Sequence, residues 1–90
     1  MVRENDFIAV FHSIHRVMKA EKILKGAGLA ILLIPAPRQI SSDCGLALRY
    51  VPEDAERVKD LLAAQNFPAA EVYRYQGGKF TLQDRSDKQG

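Results

Sequence analysis

The chain contains one cysteine, Cys44, set inside Pro35-Ala36-Pro37-Arg38-Gln39-Ile40-Ser41-Ser42-Asp43-Cys44-Gly45. A thiol reacts as its thiolate, which forms most readily where it is exposed, near positive charge and close to hydrogen-bond donors. The residue types here can supply all three. Two prolines and Gly45 mark a loop, Arg38 and Arg49 flank the cysteine, and Ser41 and Ser42 carry hydroxyls that can donate. The competing reading is a small apolar side chain buried beside a strand, the commoner use of a cysteine outside disulfides.

A lone cysteine has no resolving thiol, so a dithiol redox cycle within the chain is excluded. It can still hold a persulfide, a selenium adduct or an acyl group. A hydrolase would need an oriented base; His12, His15 and Asp43 are at hand, but their spacing matches no hydrolase signature. His12, His15 and Cys44 are also the only soft ligands, short of the four that close a structural zinc site, so neither metal nor cofactor is expected. Each of these residues has a plainer reading. His15 suits a solvent-facing first helical turn. Arg49 alternates with Leu48 and Tyr50, which puts it on one sheet face where an acid could pair with it.

The hydrophobic pattern supplies the elements that must position these groups. Phe7 to Phe11 is a short apolar run and reads as a first strand. Ser13 offers an N-cap, and Ile14, Val17, Ala20, Leu24 and Ala27 recur at helical spacing up to Gly26-Ala27-Gly28. Ala30 to Ile34 and Leu46 to Val51 read as the next two strands, with the cysteine loop between them. Pro52-Glu53-Asp54 opens a second helix, whose inner face runs through Ala55, Val58, Leu61, Leu62 and Gln65 to the stop at Asn66-Phe67-Pro68. Val72 to Tyr75 is a last strand, ended at Gly77-Gly78.

The order β-α-β-β-α-β predicts an α+β fold, the ferredoxin-like sandwich, with two helices on one face of a four-stranded antiparallel sheet. Residues 1–80 then form a single domain, and the polar stretch 81–90 is expected to be a disordered tail. In such a topology the loop after the second strand shares an end of the sheet with the start of the first helix. Cys44 and the Ser13-Ile14-His15 turn should therefore be neighbours, where the helix dipole favours an anion. Both faces of the first strand are apolar. The face away from the helices calls for cover, which a homodimer, the long loop or the tail could supply.

Composition narrows the classes further. Thirteen basic and eleven acidic residues in 90 give a net charge of +2, too even to imply nucleic acid or an anionic membrane. RNA-recognition modules of this topology carry a Lys/Arg-Gly-aromatic pattern on the third strand. Gly45-Leu46-Ala47-Leu48-Arg49-Tyr50-Val51 has one aromatic and no basic residue before its glycine. The N-terminus lacks a hydrophobic signal core and no apolar run reaches membrane-spanning length, so a cytoplasmic protein is expected.

Two blocks carry a family resemblance. Ser13-Ile14-His15 followed by Lys19-Ala20-Glu21-Lys22-Ile23-Leu24-Lys25-Gly26-Ala27-Gly28, and then Leu33 through Tyr50 with its Pro-Arg-x-Ile-Ser-Ser-x-Cys-Gly core, resemble small bacterial proteins of the selenium/sulfur carrier protein-like family. The resemblance runs up to Tyr75 and implies that Cys44 is the attachment point. The family's motif positions fall on His15, Pro37, Arg38, Ser41, Ser42, Cys44, Gly45 and Arg49. Ile14 stands where Thr is common, and Gln39 where an acid is common. The Cys-Pro-x-Pro motif of the better-known sulfur-carrier fold is absent, so that mechanism does not transfer. The resemblance implies a carrier rather than a turnover enzyme, with sulfur- or selenium-donating and accepting proteins as partners. In it Arg38, Arg49 and the first helix's start (Ser13, His15) would stabilise the anion, Ser41 and Ser42 would orient it, and Gly45 would allow close approach. The alternative is a non-covalent module for a small anion or a partner protein.

Overall fold

The computed structural model describes residues 2–40 and 44–86. Its elements are β1 (Phe7–Val10), α1 (Ile14–Gly26), β2 (Leu32–Pro35), β3 (Leu46–Tyr50), a 3-10 turn at Pro52–Asp54, α2 (Ala55–Ala64), β4 (Glu71–Gln76) and β5 (Lys79–Arg85). The strands form one sheet in the order β2-β3-β1-β4-β5, with every neighbouring pair antiparallel. Among the described residues no helix is long and apolar enough to cross a membrane.

The sheet has five strands rather than the four expected. The extra one begins in the segment taken for a strand end. Gly77 and Gly78 have φ of 59° and 78°, so both central residues of a two-residue hairpin sit where side chains are strained and glycine is not. The chain turns back there, Gln76 opposite Lys79, and pairs as far as Glu71 opposite Arg85. Residues 81–85, expected in a disordered tail, are therefore sheet, while 87–90 lie outside the described residues. A register shift between Val72 and Tyr73 skips Gln83, a bulge of the kind that bends an edge strand.

Both helices pack on the same face. Val17, Ala20 and Leu24 of α1 and Val58 and Leu62 of α2 join Ala9, Phe11, Leu48 and Tyr50 in one core cluster. Burying a side chain such as Leu24 or Leu48 completely contributes about 1.5–3 kcal/mol. Ser13 caps α1 as its type predicts, its Oγ accepting from the Arg16 amide at 3.2 Å. Ile14, expected on the inner face, is exposed. It occupies the first helical position, one turn before the buried stripe starts at Val17.

The opposite face forms a second, smaller core of Ile8, Val10, Ala47 and Ile40, with Val2, Ala36, Tyr73 and Phe80 packed around it. Ile8 and Ala47 are wholly buried within the single chain. The open apolar face that suggested a homodimer is thus already covered, chiefly by the loop residue Ile40.

Candidate functional site

The loop between β2 and β3 is held at its base and in its middle. The Ala36 amide donates to the Gly45 carbonyl at 2.9 Å, closing the base, and the Ile40 amide donates to Pro37 O at 3.0 Å, making a tight turn. Ile40 is then buried against the outer-face core. Gly45 has φ of 73°, a left-handed conformation that lets the chain swing from the loop into β3 and that other residues adopt only with strain.

Cys44 leaves this loop toward the other side of the sheet. It is half-buried, forms no disulfide, and packs against the helix-side core. Its Sγ lies 3.4 Å from the Leu46 carbonyl and 4.0 Å from the Phe11 carbonyl. The Phe11 contact spans 33 residues and places the sulfur beside the junction of β1 and α1, two positions before the Ser13 cap. Both carbonyls are acceptors, suited to a thiol that donates. The sulfur touches core and sits at a loop edge.

The other expected site residues are distributed unevenly. His15 is exposed on the first turn of α1, and Ser13 uses its hydroxyl for the cap. Arg38 lies exposed in the Pro37–Ile40 turn. Ser41, Ser42 and Asp43 lie outside the described residues.

Arg49 does not join the site. It stands opposite Ile8 of β1, on the face away from the helices, whereas Cys44 packs on the helix side. Its Nε lies 2.6 Å from Asp6 Oδ2, with the arginine side chain 14% and the carboxylate 3% exposed. Asp6 also accepts from the Arg3 amide at 2.8 Å. The alternation of a strand sends Arg49 to the wrong face for Cys44, and a buried carboxylate holds it there.

A cluster not anticipated from the sequence lies at the Cys44 end of the sheet, on the outer face. The Tyr73 hydroxyl donates to Glu71 Oε1 at 2.5 Å, and Arg85 Nε donates to Glu71 Oε2 at 2.9 Å. Glu71 stands opposite Val10, and Val10 opposite Ala47, so the cluster shares the strand ends that flank the loop. The Tyr73 hydrogen bond, with Arg85's bond and charge and a smaller contribution from His12, holds the Glu71 carboxyl below its ordinary value against an opposing effect of burial. The Glu71 hydrogen bond and burial together push the Tyr73 phenol up. The spacing Glu71-x-Tyr73 on one strand face was the available clue. Its third member, Arg85, joins only because β5 pairs with β4.

Comparison with curated proteins and with solved structures finds no match to the chain. A family model does match, and it spans β1, the cysteine loop and the first four residues of β4. It is the family described as "Putative Se/S carrier protein-like", matched over residues 6–74, and the chain belongs to that family.

Proposed function

We propose that the protein is a thiol carrier for sulfane sulfur or selenium, loaded on Cys44. The observation that carries this reading is the placement of the sulfur. It is held by a pinned loop beside the start of α1, in a chain whose family match extends over that whole region. In the loading step the Cys44 thiolate attacks the outer sulfur of a donor persulfide. A new sulfur–sulfur bond forms to Cys44, the donor's own sulfur–sulfur bond breaks, and the donor leaves as a thiolate, with no external oxidant or reductant. Selenium transfer follows the same balance from a donor whose selenium is already bonded to a thiol sulfur (R–S–SeH): a sulfur–selenium bond forms to Cys44, the donor's sulfur–selenium bond breaks, and the donor leaves as a thiolate. The orphan amides and positive dipole of the first α1 turn favour the anion formed on the cargo, and Arg38 supplies the nearest loop cation in sequence.

The finer fold reading belongs here as well. We read the order β2-β3-β1-β4 with both helices on one face as a ferredoxin-like sandwich with β5 added at the edge; the antiparallel pairing and shared helix face support that reading. Sulfur- or selenium-handling proteins of a reducing cytoplasm are the partners this reading requires.

The test is loading by a small-molecule persulfide donor followed by intact-protein mass spectrometry. Wild type should gain one sulfur, and Cys44→Ser none, while both keep the same circular dichroism spectrum. A Cys44→Ser variant that binds the donor as well as wild type would show instead a non-covalent module.

A further inference from the structure

The helices leave part of their sheet face uncovered. Between the flank of α2 and the β4–β5 hairpin lies a groove of about 300 Å³, at the lower end of the range for small-molecule sites. Its floor is Phe7, Tyr50 and Val72, and its helical wall includes Val58 and Leu62. The Phe7 and Tyr50 rings are stacked, with centroids 5.8 Å apart and planes 21° from parallel.

Tyr50 carries the argument. The residue is 3% exposed, yet its hydroxyl makes no hydrogen bond among the described residues. Arg74 Nε is the one described buried side-chain nitrogen or oxygen that is both sealed from solvent and without a partner. The Tyr50 hydroxyl is therefore not sealed, and Tyr50 lines the groove. A buried phenol ordinarily finds a partner, and none of the described residues supplies one here. Burial, and then the nearby Asp84 charge, push the Tyr50 phenol well above its usual range, so it stays protonated and able both to donate and to accept.

The rim sets the sign of the ligand. Asp84 and Glu56 contribute two carboxylates and Lys59 one ammonium to the lining, so carboxylates outnumber ammonium groups at the rim, while the Arg74 guanidinium sits 5.4 Å from the Phe7 ring centroid. We propose that this groove binds a small molecule with an apolar, aromatic or branched body and one amine end. The body lies on the Phe7–Tyr50 floor, the amine faces Asp84, and the Tyr50 hydroxyl hydrogen-bonds to the amine's N–H or to the body's polar atom. The site lies toward the C-terminal end of β3, away from Cys44, and does not depend on the carrier chemistry.

Three probes of one shape test it: phenethylamine, 2-phenylethanol and 3-phenylpropionate, titrated into the full chain and followed by two-dimensional amide NMR. Saturable shifts are expected at the amides of Tyr50, Val58, Leu62 and Val72, with a dissociation constant for the amine on the order of 1 mM. The amine should bind about tenfold tighter than the carboxylate. Asp84→Asn, at an exposed position, should bring amine and alcohol to within about twofold of each other. Tyr50→Phe should weaken both by about fivefold, and Cys44→Ser should change neither. Absence of saturable shifts, or a carboxylate that binds as well as the amine, would overturn the proposal. So would groove amides that shift with protein concentration alone, because a second copy of the chain would then be the occupant.

Discussion

The two ends of β3 use their polar groups in opposite ways. At one end Arg49 is closed into an ion pair with Asp6, 2.6 Å apart and nearly out of solvent. At the other, Cys44 is half-buried at a loop edge with carbonyl oxygens for neighbours. Five positions separate them, and in the linear sequence they read as one constellation. Strand alternation places them on opposite faces: the arginine is tied to Asp6 on the outer face, and the thiol packs on the helix side. A charge near a cysteine in sequence is evidence for activation only when strand parity puts both on one face.

The largest effect that separates the two ends is on stability. Arg49→Ala strands a buried carboxylate and should cost about 3–5 kcal/mol in urea unfolding. The Asp6→Ala/Arg49→Ala double variant should lose much less than the sum of the single losses. Cys44 loading in the Arg49→Ala variant, measured under conditions where it is folded, should match wild type. A loss of loading there would return Arg49 to the site.

The next test bears on the thiol end. Gly45→Ala must place a side chain at φ of 73°, a conformation costing roughly 1–2 kcal/mol. The space around the new Cβ is open, with nothing within 4 Å, so the penalty should be conformational alone. Strain one residue from Cys44 should also alter the rate of thiol alkylation, which Arg49→Ala should leave unchanged. Equal alkylation rates in both variants would mean that the loop does not position the sulfur.

The smallest effect lies on the outer face beside the loop. The Glu71 carboxyl is held below its ordinary 4.5, chiefly by the Tyr73 hydroxyl. Its contribution is therefore present above 4.5 and lost as pH falls through the lowered folded value. Tyr73 is raised above 10.0, so its contribution is present below pH 10 and lost as pH climbs through the raised value. The stability gap between wild type and Tyr73→Phe should stay under about 1 kcal/mol near neutral pH and shrink at both extremes. A gap independent of pH in thermal melts would show that the hydrogen bond contributes nothing.

Much of the helical framework was readable along the chain. Ser13 caps α1, the stripe Val17, Ala20, Leu24 faces the core, and Pro35 ends β2. Such signals act over a single turn or a few strand residues. The fifth strand was legible in principle: Gly77-Gly78 is a two-residue hairpin turn, and Phe80-Thr81-Leu82 resumes an alternating pattern. Reading the glycines as a stop concealed both β5 and the Glu71–Tyr73–Arg85 cluster.

Local periodicity, capping and residue type are enough to lay out the elements from β1 to β4, the cysteine loop and its single thiol. Which groups meet depends on how those elements assemble in three dimensions. The Asp6–Arg49 pair spans 43 residues, the Cys44–Phe11 contact 33, and Ile40 packs with buried residues of β1 and β3. Those meetings depend on strand register and on which face each residue takes. A one-residue slip would send every side chain to the opposite face.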